Sequence, residues 1–231
     1  MPQLDLITSL AIETFTHSIQ ALFLLGFAAL LLYYYSFYRR DYLRYWSFAC
    51  FAFGPSELIR ALLAGSAMVD PESTLGWSSG LQGIALTLQY LAITFIGLGA
   101  SCAVFNNKPK QYWLYVAYAA SLFGGIISYF WLEPSISYTS SSPNSGFMHF
   151  LVTGLALFVI GVFMWRRLGS GVGPKLVSAG FLSIGIKNFI VLYGLYAITG
   201  NSLDWLLSFQ ALVTVIIIAA VMVGLIIWLL E

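Results

Sequence analysis

Seven stretches of the chain, residues 9–36, 46–64, 80–105, 112–132, 147–165, 175–198 and 205–230, are long, apolar and nearly free of charge. A membrane span needs about 20 such residues, because the hydrocarbon layer is about 30 Å thick and a helix rises about 1.5 Å per residue. Inside that layer no water can satisfy a bare peptide group, so each segment must bond to itself as a helix. The repetition predicts an all-α, polytopic bundle of seven transmembrane helices forming one domain over residues 1–231. With 60% of the residues hydrophobic, 8% charged and a mean hydropathy of +0.87, too few polar side chains exist to cover a soluble surface. The first segment is too long for a signal-peptide core and has no basic leader, so it reads as a true span.

The connections alternate in charge. Arg39, Arg40 and Arg44 follow segment 1, Lys108 and Lys110 follow segment 3, and Arg166, Arg167 and Lys175 separate segments 5 and 6. The other connections carry Asp5, Asp70, Glu72, Glu133 and Asp204 and no basic side chain. The positive-inside rule therefore expects the N-terminus outside and the C-terminus in the cytoplasm. The ring cluster from Tyr33 to Tyr38, with Trp46, Trp113 and Trp165, reads as ordinary headgroup-level anchoring. Glu133 to Gly146, rich in Ser and Pro, reads as a loop. A net charge of +1 with dispersed basic residues offers no nucleic-acid surface. Cys50 and Cys102 both fall within spans, so they do not read as a disulfide framework, and no Cys/His zinc spacing exists.

Two segments break the partition. Segment 2 contains Phe53-Gly54-Pro55-Ser56-Glu57-Leu58-Ile59-Arg60, and segment 6 contains Gly185-Ile186-Lys187-Asn188-Phe189. An ionisable group at membrane depth costs about 2.5 to 3.5 kcal/mol or more, so it faces the bundle interior, pairs, and marks a function. Pro55 removes a backbone donor and marks a kink or hinge together with Gly54. Counted from the basic flanks at about 1.5 Å per residue, Glu57 and Lys187 both come out near 20 Å deep, Arg60 near 24 Å, and Gln89 and His149 between about 25 and 29 Å. The same count puts His17 close to the outer boundary.

Further polar residues keep helical spacing: Glu13, His17 and Gln20 on segment 1, Gln82 and Gln89 on segment 3, Ser183 and Lys187 on segment 6, Gln210 and Thr214 on segment 7. The bland reading is hydrogen bonding between helices for these, and a packing ion-pair network for Glu57, Arg60 and Lys187. Their distribution favours more. Polar groups gather in the outer half and stop, whereas a pore or carrier offers them through the full thickness. The expectation is a pocket open to the outside and sealed beneath. Two cations against one carboxylate leave positive charge, so the expected ligand is small, acidic or amphipathic. It would be held by Arg60, Lys187, Glu57, His149, His17, Gln89, Gln210 and Asn188.

The competing classes are a small transporter and a haem- or metal-binding redox protein. No convincing internal repeat supports the first. For the second, His17 and His149 form an imaginable axial pair, but two histidines without a defined spacing more often hydrogen-bond within a bundle, so no cofactor is assigned. Catalysis has little support, since Cys50 and Cys102 lack a neighbouring His and Ser56-Glu57 lacks a base and an oxyanion hole.

The turn Tyr38-Arg39-Arg40-Asp41-Tyr42-Leu43-Arg44-Tyr45-Trp46, the Arg-rich fifth connection before the Gly-rich stretch Gly180 to Tyr193, and an aliphatic last segment ending Leu229-Leu230-Glu231 resemble the seven-transmembrane sensory modules of bacterial sensor histidine kinases and cyclic-di-GMP turnover proteins. The resemblance implies a receptor of the bacterial inner membrane. It also implies a seventh helix continuing into a coiled coil, a homodimer formed through both, and a kinase or cyclase effector domain missing from this chain.

Overall fold

The computed structural model describes residues 2–105, 119, 124, 143–197 and 201–231. Among these it is all-helical, with α1 (Pro2–Tyr38), α2 (Asp41–Val69), α3 (Pro71–Phe105), α4 (Pro143–Arg167), α5 (Val172–Ala197) and α6 (Asn201–Leu230). All six are long and apolar enough to cross a membrane, which makes this a multi-pass membrane protein. Segment 4 lies almost wholly outside the described residues, as do Lys108, Lys110 and Trp113. Ala119 and Gly124 are helical, and a Cβ on Gly124 would touch the Tyr90 ring of α3.

The helices outrun the apolar segments. The polar stretch between segments 2 and 3 is not a loop, because α2 continues to Val69 and α3 begins at Pro71. Asp70 alone is extended, its amide still bonded to the Ser66 carbonyl at 2.9 Å. Pro71 opens the next helix at the position where its missing N–H costs nothing. Pro143 to Gly146, expected in a loop, is likewise the first turn of α4. At the other end Arg39 takes a left-handed backbone (φ 52°) between α1 and α2, and Arg44 stands inside the first turn of α2.

Each helix packs on its sequence neighbour: α1 on α2, α2 on α3, α4 on α5, α5 on α6. Thinner seams, α1 to α6 and α3 to α4, close the ring, so the described residues form two three-helix units joined edge to edge. Glycines set the closest approaches within them. A Cβ at Gly185 would meet the Phe158 backbone at 2.8 Å, and one at Gly54 would meet the Leu25 side chain at 2.8 Å. Gly54 is therefore occupied as a packing position beside Pro55, and α2 runs unbroken through both. Small residues of this kind supply helix association in a bilayer, where apolar burial gives no drive.

The dry core lies towards the basic end. There Phe27, Leu31, Leu43, Trp46, Ala100, Leu157, Met164, Val177, Phe181, Val221 and Leu225 meet from all six helices, with Leu43, Met164 and Val177 fully buried. The outward faces carry Phe15, Leu22, Leu62, Ile190 and Ile216, each more than half exposed. Such a belt is tolerable only against lipid.

Candidate functional site

Between the two three-helix units is a cavity of about 160 Å³, lined by side chains of all six helices. Its walls divide into two storeys. The storey farther from the basic end is polar: Glu13, His17 and Gln20 from α1, Glu57 and Arg60 from α2, Gln89 from α3, Thr153 from α4, Lys187 and Asn188 from α5, Thr214 from α6. The other storey is apolar, running through Leu24, Phe53, Ile93, Leu157, Ile184 and Ile218 to Trp46, Phe181 and Leu225.

Glu57 is the hub of the polar storey. It is 1% exposed, and its carboxylate lies 2.5 Å from His17 Nδ1, accepts from Gln89 Nε2 at 3.2 Å and takes a long contact from Arg60 Nη1 at 3.4 Å. Arg60 Nη2 also donates to Gln89 Oε1 at 2.8 Å, closing a ring of three side chains on α2 and α3. Next to it, Ser56 donates to the Ala85 carbonyl at 2.9 Å, which fixes the register of α2 on α3. A buried carboxylate is tolerated only with such a set of donors, since its attraction to partners must offset lost hydration.

The facing unit supplies Lys187. Its ammonium donates to Thr214 Oγ1 at 2.9 Å and lies within electrostatic reach of Glu57 and Arg60 across the cavity. Beside it, Asn188 donates to Thr153 Oγ1 at 2.8 Å, tying α5 to α4.

Of the residues singled out in the sequence, Arg60, Lys187, Glu57, His17, Gln89 and Asn188 line this one cavity. His149 lies on α4 and Gln210 on α6, and the side chains of both are outside the described residues. Three expectations need correction. His17 does not lie well beyond Glu57 in depth: its contact with Glu57 brings the two side chains to one level. Counting from basic flanks misjudged the pair in part because Arg44 stands a turn up α2 whereas Arg39 lies beyond the end of α1. Ser183, paired in the sequence with Lys187, is exposed on the outer face. The charge tally is also different, because Glu13 lines the cavity as well, so two carboxylates stand against Arg60 and Lys187.

Trp46 is a further correction. It is 3% exposed, and it forms the cavity floor rather than a headgroup anchor. Its Nε1 donates to the Ile96 carbonyl at 3.2 Å, and its ring packs edge-on to Phe181 (centroids 6.2 Å apart) and Tyr42 (5.2 Å), with Trp228 at 5.9 Å. Tyr42 and Trp228 stack at 5.1 Å beneath. A methyl group at Gly99 would overlap the indole, so the glycine makes room for it. The sequence carried no signal that separates the two roles, because only the rotation of α2 distinguishes a floor from an anchor. Trp165, by contrast, is 44% exposed and carries Lys175 over its ring at 4.6 Å, as a boundary residue would.

These features define a helical membrane protein with an internal, two-storey cavity. Set against known protein families, curated proteins and solved structures, the chain matches none of them.

Proposed function

We propose that this chain is a receptor module of the bacterial inner membrane, with seven spans, its N-terminus outside and its C-terminus in the cytoplasm. It takes a small amphipathic molecule with an acidic head from the outer side and passes a helix movement inward. The observation that carries the reading is the cavity itself, with polar groups confined to one storey and an aromatic floor closing the other. Lys187 is the hook for the acidic head. It is the one charged side chain that the α4–α6 unit contributes among the described residues lining the cavity, and it faces the Glu57–Arg60 network of the other unit.

A bound anion beside Lys187 competes with the pull between the two units, so the thin seams α1–α6 and α3–α4 are where a rearrangement would be absorbed. The movement has a route to the basic end. Glu231 Oε1 accepts from the backbone amides of Val172 at 3.0 Å and Gly173 at 3.4 Å, fastening the end of α6 to the start of α5. Output then goes to a cytoplasmic kinase or cyclase, with dimerisation through α6. The module binds and transmits, and the chemistry belongs to its partner.

The test is thermal unfolding in lipid nanodiscs against a panel of small amphiphilic acids. A ligand at 100 times its dissociation constant adds about 2.7 kcal/mol of stability. Lys187→Met should abolish that gain while the protein stays folded, and an undiminished gain would end the proposal. Accessibility labelling of single cysteines at either end of α6 checks the orientation.

One observation favours a second reading. A cavity between two three-helix units joined by thin seams is also the arrangement of a small rocking transporter. Uptake of the stabilising acid into sealed vesicles would decide for it, and the Trp46 floor would then have to open.

A further inference from the structure

We propose that the turn between α1 and α2 is a binding site for the headgroup of an anionic phospholipid, whose phosphodiester sits between the guanidinium groups of Arg39 and Arg40. The site lies at the basic end of the bundle, away from the polar storey, and does not depend on the receptor reading.

The turn opens into a second pocket of about 380 Å³, lined by residues 37–42 and by Cys102 of α3. That is more than twice the volume of the internal cavity, and it falls in the range of about 300 to 1,000 Å³ common to small-molecule sites. Only Arg39 and Arg40 separate the two helices, so their side chains leave the chain next to each other. Arg39 has the left-handed backbone at φ 52°, with its amide bonded to the Tyr35 carbonyl at 2.9 Å. Glycine is the easier residue in that conformation, yet the chain carries a guanidinium there.

Neither guanidinium is committed. Among the described residues the Arg40 side chain has no hydrogen bond or ion pair, and Arg39 only rests over the Tyr35 ring at 5.9 Å, which leaves its N–H edge open. Asp41, the one carboxylate in the pocket wall, lies 3.6 Å from Arg44, one turn along α2. The other described carboxylate at this end, Glu231, accepts from the amides of Val172 and Gly173. Residues 106–118, which follow α3 in the sequence, include Lys108 and Lys110 and no acid. The local balance is therefore positive, and the charge that complements it is an anion.

The surroundings favour a lipid over a soluble phosphate. Tyr33, Phe37 and Phe105 stand at this level, each more than half exposed. Rings so placed lie at the headgroup boundary and give acyl chains an apolar wall to follow. Basic pockets between membrane helices at that level bind acidic headgroups. The guanidinium fork matches two phosphate oxygens at once, whereas a choline headgroup brings its own cation against the two arginines. The inner wall is Tyr42, whose ring stacks on Trp228 at 5.1 Å, so the lipid touches the ring group beneath the internal cavity.

The experiment is native mass spectrometry of the full chain released from nanodiscs of phosphatidylcholine with a minority of phosphatidylglycerol of equal acyl length, counting the lipid that stays bound. Phosphatidylglycerol should be retained well above its share of the bilayer. Arg39→Gln and Arg40→Gln should each cut that preference about fivefold, the worth of one basic side chain at an anionic membrane surface, and Arg167→Gln, at the same end but outside the pocket, should change it by less than about twofold. Arg40→Lys keeps the charge and loses the fork, and it should weaken retention too if the glutamine variant does not insert. Retention of the two lipids in their bilayer proportions by the wild-type chain overturns the site. So does an equal loss in Arg167→Gln, which is the mark of general attraction to the basic end. Soluble glycerol phosphate at millimolar concentration should leave the lipid in place, and displacement by it overturns the lipid as occupant.

Discussion

The two storeys of the cavity are built on opposite principles. The polar one is held by a few specific contacts: Glu57 gathers His17, Arg60 and Gln89, and each of these lies on a helix that would otherwise bring an unmatched polar group into lipid. The floor is held by area, with Tyr42, Trp46, Phe181 and Trp228 in mutual ring contact and no ion among them. In the first storey the loss of one partner strands a charge, and the damage is nearly all-or-none. In the second the damage should scale with the atoms added or removed. The comparison shows how one membrane bundle can be both selective and tight: charge supplies the recognition, rings supply the seal.

Replacing Glu57 breaks the contrast most directly. Glu57→Ala leaves the Arg60 guanidinium without its carboxylate, and a loss of about 3 to 5 kcal/mol is expected from thermal unfolding. Glu57→Ala with Arg60→Ala should cost less than the sum of the two single changes, and strict additivity would show that the pair is not coupled. At the floor, Gly99→Ala pushes a methyl into the Trp46 indole and should cost about 1 to 3 kcal/mol, with a shift in tryptophan emission. A neutral outcome there would mean that the floor is soft. Between the storeys, Ser56→Ala removes one buried hydrogen bond to the Ala85 carbonyl and should cost about 1 kcal/mol. The smallest effect lies outside both: Arg39→Gly relieves the left-handed backbone at φ 52° and should stabilise by less than about 1 kcal/mol, since the glycine loses more entropy on folding.

Much of the site was legible before any coordinates. Glu57, Arg60 and Lys187 announced themselves because a charge inside an apolar helix has few tolerable places, and the i, i+4, i+7 spacing of Glu13, His17 and Gln20 put all three on one face that does line the cavity. The depth of His17 and the role of Trp46 were not legible. Flank counting measures each helix from its nearest basic residue, and Arg39 lies beyond the end of α1 whereas Arg44 stands inside α2. An indole near a helix end is apolar enough for the lipid boundary and for the core alike, so its sequence position leaves the choice open. The charge balance was misjudged for a related reason: Glu13 was seen as part of a stripe, but whether that stripe meets Glu57 or another helix depends on which helices are neighbours.

The sequence alone determined that the chain crosses a membrane repeatedly and which of its side chains cannot face lipid, because hydration cost is a property of each residue and of its run length. The tertiary structure decided which of those side chains meet, that Trp46 closes the cavity, and that the described helices form two units of three. Those are facts about rotation and adjacency. Helices are nearly symmetric about their own axes in an apolar solvent, and only the fit of one against the next, at places such as Gly54, Gly99 and Gly185, fixes how each is turned.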